Sequence, residues 1–162
     1  MNLKQNGPRV VQINVSPKGG VPKLRIAETQ ILTGGVAGDK QRERRFHCGP
    51  MRAVCLYSYE RIRELQDEGH PIDCGTTGEN FTVCGLNWDE MKPGVQLQIG
   101  SKVVLEITSY TKPCFKIASC FVDGHFERIW QRRHPGWSRL YAKVLCEGVV
   151  REGDEVRKIE AS

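Results

Sequence analysis

The chain has 162 residues, 39% of them hydrophobic and 27% charged, with a net charge of +5. That length suits one domain with a core of ordinary size. It excludes a membrane span, since no stretch approaches the ~18 apolar residues needed, and the charge is too weak a bias to indicate nucleic acid.

Met1 to Arg9 is polar and lacks the apolar run of a signal peptide. Seven cysteines without such a signal point to a reducing cytoplasm and free thiols. Arg9 to Val15 reads as a first strand, stopped by Ser16-Pro17-Lys18-Gly19-Gly20, and Leu24 to Ile31 as a second. Ala53 to Leu56 is a short third. Ser58 is placed as a helix N-cap, with Tyr59, Ile62 and Leu65 on one face and Gly69 as the stop. Phe81 to Cys84 is a further strand. Val95 to Ile99 and Lys102 to Thr108 flank Gly100-Ser101, a hairpin signal. A helical piece is predicted between Gly124 and Arg133, with Phe126, Ile129 and Trp130 inward, ended by His134-Pro135-Gly136. Leu140 to Leu145 and Asp154 to Ile159 are placed to pair at the end. Many short strands with few helices predict a mainly β, α+β domain, a barrel or a sandwich. Thr33 to Arg52 and His70 to Asn80 lack periodicity, and aperiodic segments of that length are usually functional when ordered.

The charge is concentrated. Lys40, Arg42, Arg44, Arg45 and Arg52 face two carboxylates, Asp39 and Glu43, so residues 39–52 hold +3 of the net charge. A local cluster of that size suits a small anion such as a phosphate. The glycine-rich run Thr33 to Lys40 lacks the P-loop spacing and reads equally as an anion-facing loop or a tight turn.

Successive cysteines are 7, 19, 10, 30, 6 and 26 positions apart, which excludes the close pairs of a structural zinc site. No Gly-X-Ser-X-Gly elbow occurs. Cys55, Cys84 and Cys146 sit in apolar strand contexts and read as packed thiols. Cys114 differs. Pro113 stiffens its turn, and Lys112 and Lys116 flank it; nearby cations favour the thiolate, the form that attacks or ligates. A half-buried structural cysteine and a reactive thiol both remain open from local sequence. Cys120 is six positions on, a poor spacing for one face of an α-helix. In Gly75 to Val83, Thr77, Glu79 and Asn80 stand between glycines just before a strand, where polar groups can line a cavity mouth or satisfy the loop's own backbone.

Taken in order, Val11 to Pro17 with Gly19 to Pro22, Gly38 to Gln41 with His47 to Val54, Gly78 to Thr82 with Gly85-Leu86, Pro113-Cys114, and Gly148 to Val156 resemble the MOSC domain family. This is the module at the C-terminus of molybdenum cofactor sulfurases and the core of related reductases. The resemblance implies a single domain over residues 1–162, its core at about 9–159, folded as a closed or partly closed mixed β-barrel with a last hairpin over Gly148 to Val156. It implies that Cys114 is a metal ligand facing a molybdenum cofactor, with Glu79 and Asn80 at the reacting centre. It also implies that Lys40, Arg42, Arg44, Arg45, His47, Arg52, Thr77 and Lys112 hold that cofactor. The implied activity is reduction of N-hydroxylated small molecules. The alternatives are a sulfur carrier with a Cys114 persulfide and a non-catalytic cofactor carrier. No pyridoxal phosphate site is expected on the chain, and electrons or sulfur are expected from a donor protein or a cysteine desulfurase, with no nucleic acid or membrane partner.

Overall fold

Short apolar runs between turns build strands, and here they build two sheets. The computed structural model describes residues 7–40 and 49–160. Its strands are β1 (Arg9–Val15), β2 (Leu24–Ile26), β3 (Glu28–Leu32), β4 (Gly35–Val36), β5 (Val54–Ser58), β6 (Phe81–Cys84), β7 (Gln96–Ile99), β8 (Val103–Tyr110), β9 (Leu140–Cys146), β10 (Gly148–Arg151) and β11 (Val156–Ile159). Eight of them form a mixed sheet in the order β11-β7-β8-β9-β5-β6-β1-β2, and β10-β3-β4 form a second, antiparallel sheet. Within the large sheet β5 and β6 run parallel. A parallel pair needs a crossover, which is supplied by helix α1 (Tyr59–Asp67) and the loop after it.

Helix α1 starts where the sequence places it. The Ser58 hydroxyl accepts from the Arg61 amide at 3.1 Å, Ile62 and Leu65 are fully buried, and Gly69 leaves the helix at φ 98°. Ile13, Leu56, Phe81, Leu105 and Ile107 fill the core beneath it. No helix among the described residues is long and apolar enough to cross a membrane.

The mainly β architecture with few helices is as expected, but four details differ. Leu24 to Ile31 is two strands in different sheets. The chain turns at Ala27, whose carbonyl accepts from Glu152, so β2 pairs with β1 and β3 with β10. The expected final pairing does not form either: β9 lies between β8 and β5, β10 pairs with β3, and β11 pairs with β7. Between Gly124 and Arg133 there is one short 3₁₀ turn, Phe126–Ile129, in place of a longer helix. Positive φ at Asp123 and Gly124 interrupts the backbone just before it, yet Ile129 is buried as expected. The fourth detail is closure. The sheet order is linear, and its ends meet at one bridge, Arg9 with Glu155, where Val10 donates to Asp154 at 2.9 Å and Val156 donates to Pro8 at 3.0 Å. The described residues thus form a curled sheet whose ends touch at one corner rather than a continuous ring of paired strands.

Candidate functional site

One cavity gathers four of the residues singled out from the sequence, Lys40, Thr77, Lys112 and Cys114. Its wall takes Gly20, Val21 and Lys23 from the turn after β1, Lys40 before residues 41–48, and Cys55 from β5. Thr77 and Gly78 come from the loop before β6, Lys112, Cys114, Lys116 and Ile117 from the segment after β8, and Arg139 and Tyr141 from the start of β9. The free space, mouth included, is about 730 Å³. Five lining side chains are cationic and none is a carboxylate, among the described residues.

Strand register explains the assembly. Tyr141 lies opposite Cys55 on β5 and Ser109 on β8. Thr111 extends the same ladder by donating to the Arg139 carbonyl at 3.0 Å. Side chains alternate along a strand, so Arg139 and Tyr141 share the cavity face while Leu140 points into the core. After Thr111, Pro113 is buried and Cys114 takes an extended backbone (φ −141°, ψ 173°) at the start of the 3₁₀ helix Phe115–Cys120. Cys114 is half-buried, reaches the cavity, and is a free thiol.

The 3₁₀ geometry revises the relation of Cys114 to Cys120. With three residues per turn, positions 114, 117 and 120 share one face. Ile117 lines the cavity from that face, and the Cys120 thiol is buried against the Thr76 carbonyl at 3.5 Å. Six residues at ~2 Å rise still separate the two sulfurs' backbones by roughly 12 Å, too far for a disulfide.

The Gly75 to Asn80 loop is held by close backbone packing. Gly75 has φ 82°, and a Cβ there would lie 2.6 Å from the Lys23 carbonyl and 3.0 Å from the Asn14 side chain. This contact draws the turn carrying Lys23 against the loop carrying Thr77. Glu79 and Asn80 follow and are wholly buried. Asn80 accepts from the Cys55 amide at 3.0 Å and donates to the Asn14 carbonyl at 3.3 Å and to Asp39 Oδ2 at 2.8 Å. Asp39 also takes Lys23 Nζ at 2.6 Å and the Ser16 amide at 2.8 Å. Neither Glu79 nor Asn80, both expected from the sequence at the reacting centre, is in the cavity lining; both stand behind its wall.

Glu79 is the perturbed acid of the region. Burial pushes its carboxyl up to about 7 against the pull of backbone amides, Arg139 and Thr77. Thr77 Oγ1 donates to its Oε1 at 3.4 Å, and its Oε2 has no hydrogen-bond partner. Arg139 donates through Nη1 to the Thr77 carbonyl, and its Nε is likewise buried without a partner. Burial pushes the Cys55 thiol up, whereas Arg139 and Lys23 pull it down.

Of the cofactor-binding residues expected from the sequence, Lys40, Thr77 and Lys112 line the cavity. Arg52 does not, but its guanidinium lies 5.4 Å from the ring centre of Tyr141, which does. Arg42, Arg44, Arg45 and His47 lie outside the described residues. Cys55 is packed as expected, yet it also forms part of the cavity wall. Lys23, Arg139 and Tyr141 were not singled out. For Arg139 a signal existed: a charged residue in phase with Tyr141 and out of phase with Leu140 at the head of a strand.

The MOSC domain model matches residues 43–157. The chain belongs to the MOSC domain family. The uncharacterized protein YflK of Bacillus subtilis is 32% identical over 117 residues, covering 72% of this chain and 52% of that protein. Protein YiiM of Escherichia coli is 27% identical over 148 residues, 86% of this chain and 64% of that protein. A reductase of Gibberella moniliformis is 28% identical over 131 residues, 78% of this chain and 23% of that protein. The chain therefore spans about half to two-thirds of the first two relatives and about a quarter of the third. The crystal structure of YiiM from Geobacillus stearothermophilus is similar in fold, with a TM-score of 0.71 at 25% identity over 94% of this chain and 75% of that one.

Proposed function

We propose that this cavity binds a molybdenum cofactor, with the Cys114 thiolate as the protein's ligand to the metal. The observation that carries the reading is a free, half-buried thiol in a cavity ringed by cations and, among the described residues, without a carboxylate. The residues fit such a group. Among the described residues no set of three His, Cys, Asp or Glu side chains could cage a bare metal ion. A metal at Cys114 therefore brings most of its ligands with it, as a pterin dithiolene does, and a soft thiolate suits that sulfur-rich sphere. Lys40 and Lys112, with Arg42, Arg44, Arg45, His47 and Arg52, supply positive charge for the pterin phosphate, and Thr77 a hydroxyl in the wall. When bound, the cofactor supplies a metal redox centre for reducing small molecules such as N-hydroxylated substrates.

The chain's own residues hold, orient and screen. Asn80 ties β5, β1 and Asp39 together behind the wall and so fixes Cys55 and Lys23. Glu79 places a carboxyl that titrates near neutrality behind Arg139. Electrons come from a partner protein. The second reading, a sulfur carrier charged by a cysteine desulfurase, rests on the same thiol: the cations around Cys114 suit a persulfide anion as well as a cofactor phosphate.

Purification from a host that makes the cofactor tests this reading. Wild type should carry near-stoichiometric molybdenum with an oxidisable pterin, and Cys114→Ser should lose the metal. Equal metal in both proteins overturns the thiolate ligand. A Cys114 persulfide without molybdenum selects the carrier.

A further inference from the structure

The mouth of the cavity is lined by exposed lysines, but its inner wall holds a different kind of cation. Arg139 is only 7% exposed. Among the described residues its guanidinium has a single hydrogen bond, from Nη1 to the Thr77 carbonyl, and Nε has no acceptor. A guanidinium is always charged and presents a fixed fork of five N–H donors, so in the interior it requires an anionic or carbonyl partner on each face of that fork. No carboxylate forms an ion pair with it among the described residues. Asp39, the acid nearest the wall in this network, is taken by Lys23, Asn80 and the Ser16 amide. Glu79 stands behind Arg139 without pairing to it and with its own Oε2 unpartnered. Burial pushes that carboxyl up to about 7, so near neutral pH it supplies only part of a negative charge. The other titratable groups facing Glu79 are Tyr57 and Cys55 on β5, Cys74 in the loop after α1 and Cys120 in the 3₁₀ helix. Neutral thiols and a neutral phenol cannot balance a guanidinium.

A buried charge without a partner is costly, and one that lines a cavity is balanced by what enters the cavity. We infer that Arg139 is an anion subsite inside the Cys114 cavity, and that the small molecule presented to this thiol carries a carboxylate or a small oxyanion group. This rests on the proposed reading of the cavity as the functional site and deepens it: the cations at the mouth serve the cofactor, and Arg139 selects the charge of the substrate. Neutral substrates leave the guanidinium unbalanced and are disfavoured. Lys23, the other cation set back from the mouth, is already neutralised by Asp39 at 2.6 Å and does not substitute for Arg139.

A pair of alkylating probes of nearly equal shape tests this on the apoprotein. Iodoacetate is anionic and iodoacetamide neutral; each transfers its CH₂ group to the thiolate sulfur and releases iodide. The ratio of their rates at Cys114, followed by peptide mapping, is compared with the ratio for glutathione in the same buffer. The expected result is a ratio raised roughly tenfold in wild type, returned to the glutathione value in Arg139→Gln and partly retained in Arg139→Lys. A ratio that survives Arg139→Gln but collapses in a Lys112→Gln/Lys116→Gln variant places the attraction at the mouth and overturns the inference. Wild type alone gives a second measurement should Arg139→Gln not fold. Inorganic phosphate at constant ionic strength should slow iodoacetate more than iodoacetamide, and equal slowing overturns the subsite. Metal content does not enter these ratios. A chain that binds no molybdenum can still show the charge preference, and a chain that shows no preference can still use Cys114 as a ligand.

Discussion

Glu79 carries the clearest consequence at the scale of a single residue. Its folded-state pKa of about 7 lies above the ordinary carboxyl value of 4.5. The folded protein therefore binds this proton more tightly than the unfolded chain does. Between about pH 4.5 and 7 the unfolded chain has lost the proton and the folded one keeps it, so the contribution to stability falls as pH rises through that window and is constant above it. The size is on the order of 3 kcal/mol. Urea denaturation at pH 5 and pH 8 should show that loss in wild type, and Glu79→Gln should flatten it; an equal pH response in both proteins contradicts the assignment. Cys114 makes the opposite case. It begins its 3₁₀ helix without a side-chain cap bond and is half-buried, so Cys114→Ser should change stability by no more than about 0.5 kcal/mol while removing the cavity thiol. Labelling with iodoacetamide should mark Cys114 well before Cys84, which has no exposed surface. Cys114 was legible in the sequence because a proline and two lysines mark it. Arg139 carried only the weaker signal of its phase with Tyr141, because burial of a charge at the head of β9 depends also on pairing with β5, which is far from it in the chain.

Among the elements, the sharpest contrast is between two capping side chains. Ser58 accepts one bond at the start of α1, and Ser58→Ala should cost about 1 kcal/mol. Asn80 joins β6 to β5, to β1 and to Asp39, and its removal leaves the Cys55 amide and Asp39 with buried, broken bonds. Asn80→Ala should therefore cost about 3 kcal/mol or more in denaturant unfolding. A loss of activity with unchanged stability would instead return Asn80 to the reacting centre. Strand positions were legible wherever an apolar run ended at glycine or proline, as at β1 and β6, whose bounds agree with the sequence reading residue for residue. Partners were not. β10 has alternate residues exposed and occupies a stretch that reads as turn, because Gly148 and Gly153 bracket it. The split at Ala27 was hidden for a similar reason: the apolar alternation runs on through a residue at which the backbone changes sheets.

At the scale of the whole molecule, charge is distributed for capture. The cavity presents the exposed lysines Lys40, Lys112 and Lys116 at its mouth. Affinity for the proposed anionic cofactor should fall as potassium chloride is raised, since exposed charges are screened over ~8 Å at physiological ionic strength. Titration at low and physiological salt checks this, and Lys40→Gln should flatten the dependence. An affinity indifferent to salt would argue that the lysines are merely solvated surface. The mainly β class was legible from strand count alone. The linear sheet order was not, since the meeting of β1 with residues 153–156 depends on curvature accumulated over the whole sheet.

The position of β9 between β8 and β5 also governs when the site can exist. Before β9 leaves the ribosome, the large sheet is two unconnected pieces, the β7-β8 hairpin and the β5-β6-β1-β2 group, each with an open edge. Cys55 belongs to one piece and Cys114 follows the other, and Arg139 and Tyr141 arrive only with the strand that joins them. Vectorial synthesis therefore places both thiols in the emerging chain ahead of the wall that encloses them. A chain arrested between residues 120 and 139 lacks the wall residues Arg139 and Tyr141 and leaves strand edges open to edge-to-edge association. β9 is the element whose arrival completes the cavity wall.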